Sequence, residues 1–286
     1  MLLIQLIEYY KKYMISIDKA PETIKGYTIE LALLNRYLSE KYNGPTYLED
    51  IHIKDLEEYL TFMKDKGYAP ASRSRTIYII RAFYNFCYKK EYIAKNIAVN
   101  LEAVPVPEKE RVYLSQEEMK YLISGINSPI IKLVVNTLFF TGMRISECLN
   151  LLLTDVDLKE GIIKVRNTKN KQDRQIPIHE ELVDSFDNYM KNWRDGASNP
   201  YFFCLNSFCR ISPDHVNRVL HKTTRILNMD KHVTCHIIRH SFASCLVARN
   251  INIVNIQKLL GHKDLSTTSI YTHTNLDELK KAVNSI

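Results

Sequence analysis

Residues 236–240 read HIIRH and residues 259–273 read LLGHKDLSTTSIYTH, and these two stretches carry the most specific pattern in the chain. His236 and Arg239 are three residues apart, so on a helix they share one face. In the second stretch an apolar helical run stops at a Gly-His pair, and Tyr271 follows that histidine by nine residues. Each of these residues alone is more often structural, but together their side chains are suited to chemistry on a phosphate.

Two segments upstream add charged residues to this set. Residues 141–147 read TGMRISE, in which Arg144 follows a glycine helix stop and Glu147 lies three residues further on. At that spacing Glu147 can orient Arg144 within one helical turn. Residues 168–174 read TKNKQDR and form the predicted tip of a β-hairpin, from which a lysine can swing toward a bound phosphate.

Taken in chain order, these segments resemble the signature of the tyrosine recombinases, which are also called the phage integrase family. The residues that carry the resemblance are Arg144, Lys169, His236, Arg239, Gly261, His262 and Tyr271. Close relatives in pattern are the Xer-type chromosome-dimer recombinases and the transposon-borne recombinases and resolvases. The resemblance extends over the whole chain. Its length leads us to expect a simple Xer- or resolvase-like enzyme rather than one with an added N-terminal arm-binding domain.

The resemblance implies how the scissile phosphodiester is held. Arg144 and Arg239 are expected to bind its non-bridging oxygens, because a guanidinium is planar, always charged and able to bind two oxygens at once. His262 is expected to add a hydrogen bond. Glu147 is expected to orient Arg144 rather than to react, and His240 to support the neighbouring catalytic groups.

The resemblance also implies covalent catalysis. Tyr271 is the expected nucleophile, with His236 as the general base that takes its proton. A lysine in the hairpin turn is the expected general acid for the leaving 5′-hydroxyl. Lys169 matches best by its distance from the first strand, and Lys171 is the alternative, because the turn lacks the glycines that often surround this lysine in the family. The product is a 3′-phosphotyrosyl intermediate, with no metal and no other cofactor expected.

The expected fold is mainly α, with an N-terminal four-helix bundle that clamps DNA and a mixed α+β catalytic domain that contains a small β-sheet. We expect the bundle at residues 1–100, a proline-containing linker at 101–111 and the catalytic domain at 112–286. Apolar spacing predicts helices at about 2–16, from 23 onward, 53–66, 72–90, 129–141, 214–227, 238–249, 253–260 and 275–286, with strands at 161–165 and 174–178. A capping-box pattern at 115–118 predicts the start of one more helix.

The charge pattern indicates a polyanionic partner. The chain has 39 Lys and Arg residues against 32 Asp and Glu, a net charge of +7. Eight basic and two acidic residues lie between positions 64 and 95, where a fourth helix is predicted. We expect most contacts with DNA to go to phosphate. The candidate DNA-binding residues are Arg73, Arg75, Arg81, Lys89, Lys171 and Arg174.

Other features bear on location and assembly. The six cysteines are scattered, and no apolar run reaches the 18 residues of a membrane span, so we expect a cytoplasmic protein with reduced thiols and no membrane partner. The expected partner is double-stranded DNA carrying recombination sites, bound by a homotetramer. Residues 275–286 form an amphipathic tail that would dock into a neighbouring subunit, as in the family, or pack on its own domain. The sequence leaves open whether an accessory protein is needed.

Three other functions compete with this interpretation. A type IB topoisomerase uses the same chemistry, and a non-catalytic descendant would bind DNA without cutting it. A metal hydrolase could use the cluster His232, Cys235, His236 and His240, although no second cluster has zinc-like spacing. The spacing of the histidine and tyrosine motifs and the complete catalytic set favour the recombinase.

Overall fold

The computed structural model describes residues 1–107, 112–166, 173–194, 199–205 and 210–261. The chain divides into two compact units, Met1–Glu110 and Arg111–Ile286. Each unit has a hydrophobic core of its own. No helix among the described residues is long and apolar enough to cross a membrane.

The first unit is built from four helices joined by short connections. Two of them begin with a proline, whose fixed φ and missing N–H suit the first helical position. The helices are α1 (Leu3–Ser16), α2 (Pro21–Lys41), α3 (Ile53–Asp65) and α4 (Pro70–Lys89). These prolines place the starts of α2 and α4 two residues earlier than the apolar spacing predicts.

Aromatic residues fill much of the core of the first unit. The ring of Tyr10 on α1 packs against Phe83 and Phe86 on α4, with centroids 5.6 and 4.9 Å apart. Burial raises the pKa of Tyr10 to about 12, so its hydroxyl stays neutral. Phe83 and Tyr84 are fully buried on the same helix. The apolar faces predicted for the helices of this unit therefore do form one core.

The second unit combines seven helices of the described residues with a three-stranded sheet. The helices are α5 (Gln116–Ser124), α6 (Pro129–Thr141), α7 (Ile145–Leu149), α8 (Glu180–Asn192), α9 (Pro213–Ile226), α10 (Cys235–Ala248) and α11 (Ile253–Leu260). The strands are β1 (Val156–Asp157), β2 (Ile162–Val165) and β3 (Arg174–Pro177). The mainly α class with a small sheet is as predicted, whereas α8 and β1 were not expected from the sequence.

The sheet is antiparallel in the order β1-β2-β3. Ile163 lies opposite Ile176, and Val165 lies opposite Arg174. Because side chains alternate along a strand, the buried Ile176 and the residue two positions before it point to the same face. Arg174 therefore lies on the face that packs against the body of the unit.

Helix α10 begins three residues earlier than the apolar spacing predicts, and this places His236 in its first turn. Thr234 is the N-cap residue, and its hydroxyl oxygen accepts a hydrogen bond from the backbone N–H of Ile237 at 3.4 Å. Side chains of this type stabilise a helix start by satisfying an otherwise unpaired N–H. His236 and Arg239 consequently both belong to the helix.

Candidate active site

Glu147 is the centre of the site, because three arginines from three elements lie around its carboxylate. It belongs to the first turn of α7, and its side chain is only 10% exposed. The backbone N–H of Arg144 donates to Oε2 at 2.8 Å, and Arg144 Nη1 donates to Oε1 at 2.8 Å. The contact that the spacing of this pair predicts is therefore present.

Arg174 approaches the same carboxylate from β3. Its Nη2 donates to Glu147 Oε2 at 2.8 Å and its Nη1 donates to Oε1 at 3.2 Å, a two-point contact. Its Nε donates to the carbonyl oxygen of Leu259 at 2.8 Å. The sequence placed Arg174 among the DNA-binding residues, but its side chain is 10% exposed and engaged within the protein. Strand alternation turns the guanidinium inward, and the role of Arg174 in DNA binding stays a prediction.

Arg239 is the third arginine, and it is held by backbone carbonyls. Its side chain is 6% exposed, and Nη1 lies 3.9 Å from Glu147 Oε2. Nη1 donates to the carbonyl oxygen of Gly142 at 2.6 Å, and Nη2 donates to that of Leu260 at 2.7 Å. Arg239 therefore joins the ends of α6 and α11, a role for these carbonyls that the sequence did not reveal.

Gly142 explains why α6 can end so close to α10. The residue has φ +62°, in the left-handed region that favours glycine. A Cβ atom at this position would lie 2.3 Å from Cδ1 of Phe242 on α10. A side chain here would push α10 away and move the Gly142 carbonyl from Arg239.

The two histidines of the HIIRH motif differ in exposure. His236 is exposed at the start of α10, one turn before Arg239, and His240 is half-buried one turn after His236. The helix thus places the exposed imidazole of His236 next to the buried guanidinium along one side of α10. This arrangement leaves His236 accessible to a ligand.

The charge state of Glu147 follows from its neighbours. Burial by itself would raise the pKa of its carboxyl, but hydrogen bonds and charge from Arg174, followed by those from Arg144, lower it to about 2. Glu147 is therefore ionised at neutral pH. Three arginines then face one carboxylate, and the site keeps an excess of positive charge.

Several predicted site residues lie outside the described residues. They are the candidate general acids Lys169 and Lys171, the candidate hydrogen-bond donor His262 and the candidate nucleophile Tyr271. The predicted tail helix at 275–286 also lies outside the described residues. Their roles stay predictions. Gly261, which precedes His262, is the left-handed cap of α11, as the sequence predicts for a helix stop.

The predicted DNA-binding residues of the first unit all lie on α4 but differ in exposure. Arg75 and Lys89 are exposed, whereas Arg73 is half-buried. Arg81 is also half-buried, and its Nη2 donates to the carbonyl oxygen of Leu101. Arg81 therefore makes a contact that ties α4 to the segment after the bundle, and its role in DNA binding stays a prediction.

No group of three or more His, Cys, Asp or Glu side chains in the described part of the chain is arranged to hold a metal ion. In the histidine and cysteine cluster that was considered as a metal site, Cys235 is buried and His236 is exposed. Burial raises the pKa of the Cys235 thiol to about 12, so this buried thiol is protonated at neutral pH.

This arrangement defines a class of protein: a helical bundle followed by a mixed unit in which three arginines converge on one carboxylate and an exposed histidine lies one turn before one of them. Residues 113–278 match the Phage integrase family, and residues 6–91 match the domain described as Phage integrase, N-terminal SAM-like domain. The chain therefore belongs to the phage integrase family. It is a site-specific tyrosine recombinase, which cuts and rejoins DNA through a tyrosine-linked intermediate.

Individual relatives agree with this assignment. Tyrosine recombinase XerA of Pyrococcus furiosus is 33% identical, over 98% of this chain and 93% of that protein. Tyrosine recombinase XerC of Caldanaerobacter subterraneus subsp. tengcongensis is 30% identical, over 98% of this chain and 86% of that protein. A solved structure of the Tn1549 transposon integrase in complex with a circular intermediate DNA shares the fold, with a TM-score of 0.83, 20% identity and full coverage of both chains.

Proposed function

We propose that this chain exchanges strands between two paired DNA sites, with Tyr271 as nucleophile and Arg144, Arg239, His236, His262 and Lys169 as its catalytic partners. The observation that carries the proposal is the convergence of Arg144 and Arg239 on the carboxylate of Glu147. These arginines come from distant parts of the chain, and one buried anion between them fixes their separation. Two fixed guanidinium groups suit a phosphodiester with its two non-bridging oxygens.

Arg144 and Arg239 would contribute differently to phosphate binding, because they differ in exposure. Arg144 is 38% exposed, so its guanidinium can meet a phosphate that arrives from solvent. Arg239 is buried and pinned to two backbone carbonyls, so it would supply a fixed positive charge beneath the phosphate. With His262 they would stabilise the charge that develops on the non-bridging oxygens. Removing one donor of this kind typically costs about 10²–10³ in rate.

The proton transfers follow from the chemistry of a tyrosine nucleophile. A phenol has a pKa of about 10 in water and attacks poorly while protonated. His236, exposed in the first turn of α10, would accept the proton as the Tyr271 oxygen bonds to phosphorus. The bond from phosphorus to the 5′-oxygen breaks, and Lys169, or Lys171 in its place, protonates that oxygen. Attack by the 5′-hydroxyl of a partner strand reverses these steps, so no external energy source is needed.

The assembly around this chemistry is also a proposal. We expect residues 1–100 to clamp the DNA with the exposed Arg75 and Lys89 of α4, residues 101–111 to act as the linker, and residues 112–286 to catalyse. A homotetramer on two paired sites, connected by the tail at 275–286, would allow four strands to be exchanged in the cytoplasm. The Tn1549 relative is named as a transposon integrase, and integration, excision and resolution would all use this chemistry.

The test is the trapping of the covalent intermediate. A duplex carrying a candidate site from the chain's own locus is nicked just beyond the cleavage position, labelled at the 5′ end of the cleaved strand and incubated in EDTA. The short 5′-hydroxyl fragment then diffuses away, and the label stays on the protein in a denaturing gel. We expect a labelled adduct with the wild-type chain and none with Tyr271→Phe.

Tyr121→Phe is the matched control, because it removes the same hydroxyl from an exposed tyrosine of the same unit. An adduct that persists in Tyr271→Phe would refute the nucleophile. The absence of an adduct on every site that the wild-type chain demonstrably binds would refute the catalytic proposal and favour a DNA-binding descendant. Release of supercoils from a plasmid that lacks any paired site would favour topoisomerase activity.

A further inference from the structure

We propose that Arg174 is a positioning residue for DNA cleavage: it holds Glu147 and the end of α11 in the geometry that the catalytic side chains require. The inference rests on the proposed function above. It replaces the role in DNA binding that the sequence suggests for this arginine with one inside the protein. Three structural observations support it.

The first observation is the two-point contact with Glu147. Arg174 places two guanidinium nitrogens on the two carboxylate oxygens, whereas Arg144 places one side-chain nitrogen on Oε1. A two-point contact fixes both the distance and the plane of the carboxylate. Glu147 in turn accepts a hydrogen bond from the backbone N–H of Arg144. By holding Glu147, Arg174 therefore also fixes the position of the Arg144 backbone.

The second observation lies at the end of α11. Arg174 Nε donates to the carbonyl of Leu259, and Arg239 Nη2 donates to that of Leu260, so two arginines cap consecutive carbonyls of the last turn. Cations are favourable at this end of a helix, where the carbonyls lack intrahelical partners. The turn leads directly through Gly261 to the proposed catalytic histidine, His262.

The third observation is the packing of Arg174 against Gly261. This glycine has φ +65°, and a Cβ atom on it would lie 2.9 Å from Arg174 Nη1 and 3.2 Å from Cζ. The guanidinium therefore fills the space that the missing side chain leaves. Arg174 also opens β3, five residues after Lys169 in the sequence. One side chain thus links the α7 start, the strand after the hairpin turn and the α11 end.

The test separates binding from cleavage. Single-turnover cleavage of the nicked duplex is measured with protein in excess, and the affinity for the same intact duplex is measured separately. We expect Arg174→Gln to lower the cleavage rate of bound DNA by about 10²-fold, the typical cost of a misplacement of about 1 Å. We expect its affinity for DNA to equal that of the wild type. Arg174→Lys keeps the charge but loses the two-point contact, so it should restore part of the rate.

The pH dependence of the cleavage rate distinguishes a positioning role of Arg174 from a merely structural one, because a merely structural role would leave it unchanged. Among the described residues, Glu147 faces Arg144, Arg174 and Arg239, with the thiol of Cys148 adjacent to it in the chain. Burial raises the pKa of Glu147, and Arg174 and Arg144 lower it. Removal of Arg174 should therefore raise the pKa of Glu147. The rate of Arg174→Gln should therefore fall more steeply on acidification than the wild-type rate, which loses only the general base His236. Adding Glu147→Gln should remove that additional dependence.

Arg166→Gln is the matched control. Arg166 follows β2 in the same sheet and pairs with the buried Asp155 at 2.7 Å, so this variant also breaks an arginine–carboxylate pair but away from Glu147. It should cleave at the wild-type rate. Thermal unfolding checks that each variant is folded. If Arg174→Gln does not fold, Arg174→Lys is compared with the wild type in its place.

Two results would overturn the proposal. One is weaker DNA binding by Arg174→Gln with an unchanged cleavage rate of the bound DNA, which would restore Arg174 as a DNA contact. The other is an unchanged rate and pH profile in both Arg174 variants. Failure of the proposed function itself would appear elsewhere, as the absence of a wild-type adduct on every site that the wild-type chain demonstrably binds.

Discussion

Replacing Glu147 with glutamine should destabilise the second unit by about 3 kcal/mol. The substitution keeps the shape of the side chain and removes the anion that faces two buried arginines, Arg174 and Arg239. The neighbours lower the pKa of Glu147 from 4.5 to about 2, and each pKa unit corresponds to about 1.4 kcal/mol. Removal of one member of a buried pair costs about 3–5 kcal/mol in other proteins, which agrees.

Thermal unfolding followed by tryptophan fluorescence measures this effect in the correct unit. Trp193 is the single tryptophan of the chain and lies at the end of α8, so its emission reports on the second unit. For a unit of about 150–250 residues, 1 kcal/mol shifts Tm by about 2–4 °C. Glu147→Gln should therefore lower Tm by about 6–12 °C at pH 7.

Asp187→Asn is the control, because it breaks an exposed pair with Lys191 one turn further along α8. Exposed pairs of this spacing contribute about 0.3–0.5 kcal/mol, so Tm should change by no more than about 2 °C. If Glu147→Gln shifts Tm no further than Asp187→Asn, the carboxylate is not the centre of the arginine cluster. That result would refute the reasoning.

The same stabilisation should depend on pH with a defined sign. The folded-state pKa of Glu147 is depressed, so its contribution is complete above the unfolded-state pKa of about 4.5 and is lost as pH falls toward 2. The difference in unfolding free energy between the wild type and Glu147→Gln should be constant from pH 7 to 5 and shrink below that. A difference that grows on acidification would contradict the assignment.

Three further outcomes are expected. Gly261→Ala should reduce both stability and cleavage because it strains a positive φ and collides with Arg174, whereas Gly161→Ala at the same φ, with nothing within 4 Å, should cost stability alone; calorimetry and the nicked-duplex assay compare them. Arg75→Gln and Lys89→Gln should each reduce the slope of log affinity against log salt by about 1, measured by fluorescence anisotropy. Adduct formation by the wild type should be equal in EDTA and in magnesium, measured on the same gel.

Local spacing predicted the parts of the site that depend on neighbours in sequence. The three-residue interval between Arg144 and Glu147 predicted their contact, and the structure contains it at 2.8 Å. Gly142 and Gly261 were predicted as helix stops, and both adopt the left-handed conformation that such caps use. These features depend on one helical turn, so the sequence specifies them without knowledge of tertiary packing.

The features that escaped prediction fall into two kinds. Some could have been predicted from residue spacing. Arg174 and Ile176 are two residues apart on β3 and so share one face, and Leu182 and Phe186 are four residues apart and so share one face of α8. Others could not be predicted in this way. The carbonyl that Arg239 binds at Gly142 belongs to the backbone, which is the same in every residue, so only tertiary structure selects it.

The charge balance of the site explains why one carboxylate serves three arginines. Without Glu147, mutual repulsion would drive Arg144, Arg174 and Arg239 apart, and the two buried ones would lack an anion. A second carboxylate would cancel most of the positive charge. One carboxylate therefore allows the arginines to come together and leaves two positive charges unbalanced. A phosphodiester brings one negative charge and gathers more in the transition state, so this excess favours the transition state over the bound substrate.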